Sequence, residues 1–334
     1  MGVLAKHLTP AMSNILVLTT GGTIATRRGP LVGGSMPSLK VGDDLLALLP
    51  RAGIELSFEE FANVPSSHLT PAMALGLSRR VAAALERPEV DGVVITHGLD
   101  TVEETAYLLD LTLASPKPVV LTGAMRAATS PAYDGVSNLA AAIRVAAAPA
   151  AHELGVLVVV DEQIHAAATV QMVHSQARGA FASPDGGVLG ALEGEQVRIT
   201  RRPVGRQQIS CPRLEELVDL LRLTQGADVR QLRHSIEDGM AGIVIEAFGG
   251  GRVPPWWLPH LSDAIQRRTA VVIASRCGSG GLGDEHGYVG AYHDLRRIGV
   301  IFANNLSGPK ARIKLMVALG AARGAQELRG YFAS

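Results

Sequence analysis

The chain has 334 residues, of which 47% are apolar and 19% are charged, and this length can bury a large core or form two domains. The 31 basic and 31 acidic residues cancel without a long run of one sign, which argues against nucleic acid or an anionic membrane surface as a partner. Cys211 and Cys277 are too few for a disulfide framework and are not spaced as a zinc site, so we expect small packing residues in a reducing compartment.

Neither a targeting segment nor a membrane span is predicted. The first residues, MGVLAKHLTPAMSN, lack the apolar run and the small-residue cleavage site of a secretory signal, which predicts a cytoplasmic protein. Apolar runs elsewhere end at Gly, Pro or a charged residue before the roughly 18 residues that a membrane helix requires. The charge balance favours a small neutral or zwitterionic ligand.

Short β-branched runs alternate with longer segments rich in alanine and leucine, a pattern typical of strands joined by crossover helices in a mostly parallel sheet. The predicted strands, which are uniformly apolar as expected for burial on both faces, are 14–20, 92–96, 118–123, 155–160, 242–247 and 270–275. The predicted helices are 68–87, 101–113, 135–148, 213–224, 255–267 and 308–322. The sequence therefore predicts an α/β fold.

The polar segment TRRPVGRQQISCP interrupts this alternation. It contains two prolines, which is typical of a linker. We therefore predict an N-terminal domain over residues 1–200, a linker over 201–213 and a smaller C-terminal α/β domain over 214–334.

Three of the predicted strands end in turns rich in polar residues and glycine, namely TTGGTIAT, THGLDT and TGAMR. Ligands of open α/β sheets bind beyond the carboxyl ends of the strands, so these turns predict the site. In the first turn two glycines precede Thr23, which suits an exposed nucleophile or an anion-binding loop. The alternative is a Gly-rich turn whose threonines cap a helix. The turn is neither a dinucleotide fingerprint nor a Walker loop.

Further polar candidates lie close to these turns in the sequence. Asp100 suits a helix N-cap or an anchor for a ligand ammonium, and Ser66 and Ser67 in NVPSSHLTP either place a hydroxyl at the site or form an ordinary turn. His165 and His174 have no acidic partner at metal-ligand spacing, so no metal site is predicted. The glycine-flanked acidic loop 283–287 has the composition of a mobile lid.

Five segments together resemble the bacterial-type L-asparaginase/glutaminase family, in order and in approximate spacing over nearly the whole chain. They are ILVLTTGGTIA, GVVITHGLDTVEETAYLLDL, KPVVLTGAMR, AFASPDGGVLG and GPKARIKLMVAL. The resemblance implies a three-layer α/β N-terminal domain with a mostly parallel sheet, a smaller α/β C-terminal domain and no cofactor. It also implies a homotetramer of close dimers, or a homodimer, whose sites are shared between neighbouring subunits.

The resemblance implies hydrolysis of a side-chain amide through a threonine nucleophile and an acyl-enzyme. Thr23 resembles the first nucleophilic threonine, and Asp100 the aspartate that also binds the substrate ammonium. Ser66 matches the serine that binds the substrate α-carboxylate, and Ala124 the alanine whose carbonyl lies near the departing amide. Glu285 resembles a glutamate on a C-terminal loop.

The sequence departs from the family pattern at three catalytic positions. Leu99 replaces the second catalytic threonine, Met172 falls where the catalytic lysine belongs, and Met36 lies near the place of a loop tyrosine. No lysine occurs between Lys117 and Lys310, so a shifted alignment does not restore one. Arg252 lies near the place of an asparagine that the neighbouring subunit presents, and it either contacts a carboxylate or faces solvent.

Two functions of different classes follow. The first is an L-asparaginase-like amidohydrolase that cleaves a small linear amide, either L-asparagine or a less polar or N-substituted analogue, through Thr23. Its base would be His174, His97, Glu285 or a water molecule, since a threonine hydroxyl without a base is a poor nucleophile. The second is a catalytically silent protein that binds a small amino-acid-like ligand. Dinucleotide binding by the first turn rests on fold analogy alone.

Overall fold

The structure, a computed structural model, describes residues 12–25, 53–283 and 286–333. Its strands in chain order are β1 (Ser13–Thr19), β2 (Ile54–Glu60), β3 (Gly92–Thr96), β4 (Val119–Thr122), β5 (Val156–Val160), β6 (Gln163–Ala166), β7 (Gln171–Met172), β8 (Phe181–Ala182), β9 (Gly190–Glu193), β10 (Gln196–Ile199), β11 (Val218–Arg222), β12 (Gly242–Ala247), β13 (Ala270–Ser275) and β14 (Ile301–Phe302). Its helices are α1 (Pro71–Leu85), α2 (Val102–Thr112), α3 (Gly135–Ala147), α4 (Arg230–Glu237), α5 (Leu258–Gln266), α6 (Tyr292–Ile298), α7 (Gly308–Ala321) and α8 (Ala325–Gly330). Within the described ranges, none of these helices is long and apolar enough to cross a membrane.

The larger sheet runs in the order β10-β9-β6-β5-β4-β3-β1-β2. Strands β2, β1, β3, β4 and β5 pair in parallel, whereas β6, β9 and β10 pair antiparallel. Successive residues of β1 face opposite sides of the sheet, because Leu16 and Leu18 pack with α1 and α2 while Ile15 and Val17 pack with α3. This three-layer arrangement confirms the predicted fold of the N-terminal part.

The smaller sheet has the order β11-β12-β13-β14 and is parallel throughout. Val244 and Val272 face α7, while Ile243 and Ile245 face α4 and α5 on the other side. Because each face is covered, the strands are apolar without interruption, as the sequence pattern indicated. The smaller α/β C-terminal fold is also confirmed.

The six predicted strands form within one residue of the predicted bounds, but the predicted helix over 213–224 is wrong. This segment contains β11, the edge strand beside β12. Val218 and Leu220 pack toward α7, whereas Leu221 and Leu223 pack on the opposite face, which is the alternation of a strand. Pairing with β12 and burial on two faces therefore outweigh the helix propensity of its leucines.

The segment predicted as a linker, 201–213, contains no helix or strand and packs against α2. The Nε of Arg206 donates a hydrogen bond of 2.8 Å to Asp110, and the backbone N–H of Ile209 donates to the carbonyl of Leu111 at 2.7 Å. Ile209 is buried. The segment is therefore part of the packed structure, and the domain bounds around it stay a prediction.

Both cysteines are free. Cys211 is half-buried and packs against the core, as expected, but Cys277 is exposed, so its interpretation as a packing residue is wrong. Cys277 follows β13 on a loop at the carboxyl edge of the smaller sheet, where no core is available to cover it.

Candidate active site

The turns that follow β1, β2, β3 and β4 meet at the carboxyl edge of the larger sheet at backbone contact distance. Gly22 has a φ of +79°, and a Cβ placed on it would lie 2.5 Å from the Cα of Gly98. A Cβ on Gly98 would lie 2.6 Å from the Oγ of Ser66, and one on Gly123 would lie 2.7 Å from the Cδ2 of Leu99. Only glycine permits these approaches, which is why the turns are glycine-rich.

Thr23 is half-buried and opens the 3-10 turn Thr23–Ala25 directly after Gly22. The N–H of Gly22 donates to the carbonyl of Val64 at 3.1 Å, which ties this turn to the segment after β2. From the other side, the hydroxyl of Tyr133 donates to the carbonyl of Ile24 at 2.8 Å. The backbone around Thr23 is therefore fixed on two sides.

Ser66 and the Asp100 turn are joined by a hydrogen bond. The hydroxyl of Thr101 donates to the backbone carbonyl of Ser66 at 3.1 Å. Ser66 is buried, and its Oγ has no hydrogen-bond partner among the described residues, whereas Asp100 is exposed. Ser67 is also exposed. Ser66 therefore holds a buried hydroxyl without a partner among the described residues, on a turn that is hydrogen-bonded to the turn of the exposed Asp100.

Leu99 and Met172 belong to the hydrophobic cluster between the sheet and helices α1 and α2. Leu99 is 5% exposed, and the half-buried Met172 packs against the same cluster from β7. The half-buried Met125, on the turn after β4, packs there as well. Two of the three positions at which the sequence departs from the family pattern therefore place apolar side chains in or against this cluster.

Ala124 is buried on the turn that follows β4. The carboxylate of Asp134 fixes this turn, because it accepts hydrogen bonds from the backbone N–H groups of Met125 at 3.1 Å and Arg126 at 2.9 Å. The structure thus brings together the turns that carry Thr23, Ser66, Leu99 and Ala124.

The remaining predicted site residues are placed elsewhere or lie outside the described residues. Arg252 follows β12, pairs with Phe248 in an isolated antiparallel bridge, and has its guanidinium 5.8 Å from the ring centroid of Tyr288. It therefore belongs to the carboxyl edge of the smaller sheet. Glu285 and Met36 lie outside the described residues.

Comparison with known proteins agrees with this architecture. Residues 14–205 match the family model described as "Asparaginase, N-terminal", and residues 217–332 match that of the "Glutaminase/Asparaginase C-terminal domain". The chain belongs to the asparaginase family. It is an asparaginase-family amidohydrolase.

Individual relatives cover nearly the whole of this asparaginase-family chain. An L-asparaginase from Bacillus licheniformis is 31% identical over 308 residues, covering 91% of this chain and 95% of the relative. L-asparaginase 2 from Bacillus subtilis (strain 168) is 33% identical, with coverage of 96% and 86%. The crystal structure of a probable cytoplasmic L-asparaginase from Campylobacter jejuni superimposes with a TM-score of 0.83 at 32% identity, covering 96% of this chain and 99% of that one.

Two histidines considered as replacement bases have other roles in this asparaginase-family structure. His97 is fully buried, and its Nδ1 donates to the carbonyl of Gly98 at 2.6 Å. Burial lowers the pKa of His97 to about 4, so it is a weak base at neutral pH. The Nδ1 of His174 accepts the backbone N–H groups of Gln176 and Ala177, both at 3.0 Å, and so stabilises an exposed turn.

We expect His97 and His165 to destabilise the folded protein as the pH decreases from 6.5 toward 4. Burial lowers the pKa of His97 to about 4, and burial together with the charge of Lys310 does the same for His165. Each histidine is protonated more readily in the unfolded chain, so its stabilising contribution is present above pH 6.5 and is lost as the pH falls through about 4. The difference corresponds to about 3 kcal/mol for each residue.

Urea unfolding at pH 7 and pH 4.5 measures this effect. His165→Asn is expected to remove about half of the pH-dependent loss of stability, whereas His152→Asn, at an exposed position, leaves the loss unchanged. If the unfolding free energies of the wild type and of His165→Asn changed equally between these pH values, the assignment would be contradicted.

Sequence reasoning missed one residue of this asparaginase-family site region. Lys310, at the start of α7, is 1% exposed, and its Nζ lies 4.0 Å from Oε2 of Glu103 in the first turn of α2. In the sequence Lys310 stands within GPKARIKLMVAL, where a lysine flanked by apolar helix positions is the available signal of burial. The partner could not be identified from the sequence, because the two helices are far apart along the chain.

Proposed function

We propose that this asparaginase-family amidohydrolase hydrolyses a small linear amide with Thr23 as the nucleophile. The supporting observation is the convergence of the Thr23 turn with buried Ser66 and exposed Asp100. Asp100 would bind the substrate ammonium, and the unused hydroxyl of Ser66 its α-carboxylate. The apolar side chains of Leu99 and Met172 favour a less polar or N-substituted analogue of L-asparagine, and L-asparagine itself is the other candidate substrate.

The chemistry requires a base other than the side chain at position 172. The Oγ of Thr23 attacks the amide carbon and its proton passes to that base; the amine then leaves with a proton and an ester remains on Thr23. Water cleaves the ester and returns a proton to Oγ. Position 172 supplies a thioether and position 99 a methyl-bearing side chain, neither of which can accept the proton. The base is therefore a water molecule or Glu285 rather than the weakly basic His97.

The test is the release of ammonia, amine or acid from L-asparagine, L-glutamine and a panel of N-substituted and apolar amides. Thr23→Ala is expected to lower the wild-type rate by about tenfold or more on the best amide, whereas Thr23→Ser retains a hydroxyl and most of the activity. Equal hydrolysis by wild type and Thr23→Ala would overturn the assignment of the nucleophile.

A silent binding protein is the second candidate, and the apolar residues at positions 99 and 172 favour it. In that case no amide of the panel is cleaved, and L-asparagine or L-aspartate still raises the unfolding temperature through Ser66 and Asp100. Hydrolysis of any panel amide above the Thr23→Ala control would exclude this candidate.

Ser66→Ala is expected to separate ligand binding from folding. Its buried Oγ makes no hydrogen bond to the described residues, so the unfolding free energy should change by less than about 0.5 kcal/mol. The KM of the cleaved amide, or the ligand concentration needed for a thermal shift, should rise by about tenfold. Ser78→Ala is the matched control, because its Oγ lies 2.7 Å from the hydroxyl of Thr112 and its loss should cost about 1 kcal/mol without affecting KM.

We also propose the assembly and location that fit this function. The substrate is a small molecule, and the protein has no nucleic-acid or membrane partner and needs no cofactor. The subunits form a homotetramer or a homodimer whose sites are shared, and Arg252 reaches the site of the neighbouring subunit. The probable cytoplasmic L-asparaginase of Campylobacter jejuni supports a cytoplasmic location. Sedimentation equilibrium tests the assembly, and a monomer that hydrolyses the amide would contradict shared sites.

A further inference from the structure

A buried ammonium group joins the smaller sheet's helix α7 to the site. Lys310 is 1% exposed, and its Nζ donates to the carbonyl oxygens of Ala168, at 3.2 Å, and Val170. The third group near Nζ is the carboxylate of Glu103, whose Oε2 is 4.0 Å away. The two carbonyls accept hydrogen bonds from the ammonium, and the Glu103 carboxylate matches its charge without a hydrogen bond.

Glu103 lies between the strand β7 and the turn of Asp100. The backbone N–H of Met172 on β7 lies near its carboxylate and opposes the rise of the pKa of Glu103, which itself lies in the first turn of α2, three residues after Asp100. Burial raises the pKa of Glu103, and the charge of Lys310 opposes that rise. One ion pair is therefore connected to the segment that carries Met172 and to the helix that follows Asp100.

Burial of an ammonium costs free energy unless an opposite charge and hydrogen-bond acceptors compensate for the lost water. An apolar residue could fill the same volume at the start of α7 without this cost. The two carbonyls that bind Lys310 lie between β6 and β7, outside the pairing of the sheets. Without a donor there, the approach to β7 would lose two of its anchors. The Lys310 ammonium therefore binds one specific part of the chain, the segment 168–172.

We infer that Lys310 is a positioning residue for the site, because it fixes the segment of Met172 and, through Glu103, the turn of Asp100. This inference rests on the proposed function for its catalytic consequence. The positioning itself is independent of turnover, and a structural measurement detects it. The charged and titratable groups that face Lys310 are Glu103, Asp110 and His165.

Lys314 provides a matched control on the same helix. It is also buried, at 6% exposed, but its Nζ lies 5.0 Å from the ring centroid of Phe332 rather than against segment 168–172. Burial lowers the pKa of both lysines to about 8. Substitution of either lysine therefore removes a buried cation from α7, and of the two only Lys310 is bound to the segment 168–172.

The experiment compares Lys310→Met with Lys314→Met by hydrogen exchange and by hydrolysis of L-asparagine. In Lys310→Met we expect amide exchange at Met172 to accelerate by about tenfold or more relative to wild type. The kcat should fall by about tenfold with a smaller change in KM, because misplacement of groups affects the chemical step. In Lys314→Met the exchange rate at Met172 and the kcat should stay within about twofold of the wild-type values.

Equal exchange at Met172 in the two variants would overturn the inference, whatever the activity. If the wild type cleaves no amide, the proposed function fails while the exchange result still decides the positioning. Should Lys310→Met not fold, Lys310→Arg is compared with Lys314→Arg by the same exchange measurement, because arginine keeps the cation but changes the geometry of the donors to Ala168 and Val170. Equal exchange at Met172 in these two variants would overturn the inference.

Discussion

The double substitution Leu99→Thr with Met172→Lys is expected to raise ammonia release from L-asparagine by about 100-fold or more. It supplies the hydroxyl and the amine that the site lacks beside Thr23, and general-base assistance contributes about 10²–10⁴-fold. Residue 172 lies close to the ion pair of Glu103 and Lys310, because its backbone N–H is near the Glu103 carboxylate, whose Oε2 is 4.0 Å from the Nζ of Lys310. Partial burial and a neighbouring cation both lower the pKa of an amine, which makes it a better base near neutral pH.

The matched control for the hydroxyl is Leu99→Val with Met172→Lys, since valine has the shape of threonine without its oxygen. It should show a smaller gain than the variant with threonine. In the background of Thr23→Ala the gain should disappear. A gain that persists without the Thr23 hydroxyl, or a folded double variant with unchanged activity, would show that positions 99 and 172 do not face the reacting group.

Gly22→Ala is expected to destabilise the protein by about 4–5 kcal/mol and to remove activity. An L residue in the left-handed region costs about 1–2 kcal/mol, and overpacking adds about 1–3 kcal/mol. The upper end applies because the new Cβ would lie 2.5 Å from the Cα and N of Gly98, which are backbone atoms that cannot rotate away. The clash is relieved only if the turns after β1 and β3 move apart, and this movement displaces Thr23 from the Asp100 turn.

Gly194→Ala isolates the conformational part of this effect. Gly194 has a φ of +63° in the connection between β9 and β10, and nothing lies within 4 Å of its added Cβ. It should therefore lose only about 1–2 kcal/mol in urea unfolding and keep full activity. If the two substitutions destabilise the protein equally, the close approach of the turns does not limit the site.

The convergence of the turns at the strand ends could be predicted from the sequence, because it depends on local residue patterns. Strands that are apolar on both faces must be covered on both faces, which requires a layered fold. Parallel strands place their carboxyl ends at the same edge of the sheet. The turns of Thr23 and Ala124 therefore had to lie near one another. The strand β2 escaped prediction because IELSFEE alternates with exposed charged residues at the edge of the sheet and has no uninterrupted apolar run.

The consequences of Leu99 could not be predicted in the same way. The sequence indicates that a hydroxyl is missing, but only the structure shows that the leucine side chain enters the cluster between the sheet and α2 and contacts the turn at Gly123. Ser66 is similar, since the sequence suggests a turn serine and the structure shows a buried hydroxyl without a partner among the described residues.

The sequence by itself determined the α/β class, the succession of buried strands, the glycine turns at their ends and the family, because each depends on residue types at short spacing. The tertiary structure alone decided that 213–224 contains the strand β11 rather than a helix, since pairing with β12 and burial on two faces are contacts between distant segments. It also decided that Lys310 lies against Glu103 and segment 168–170, because an ammonium finds its acceptors only after the chain has folded.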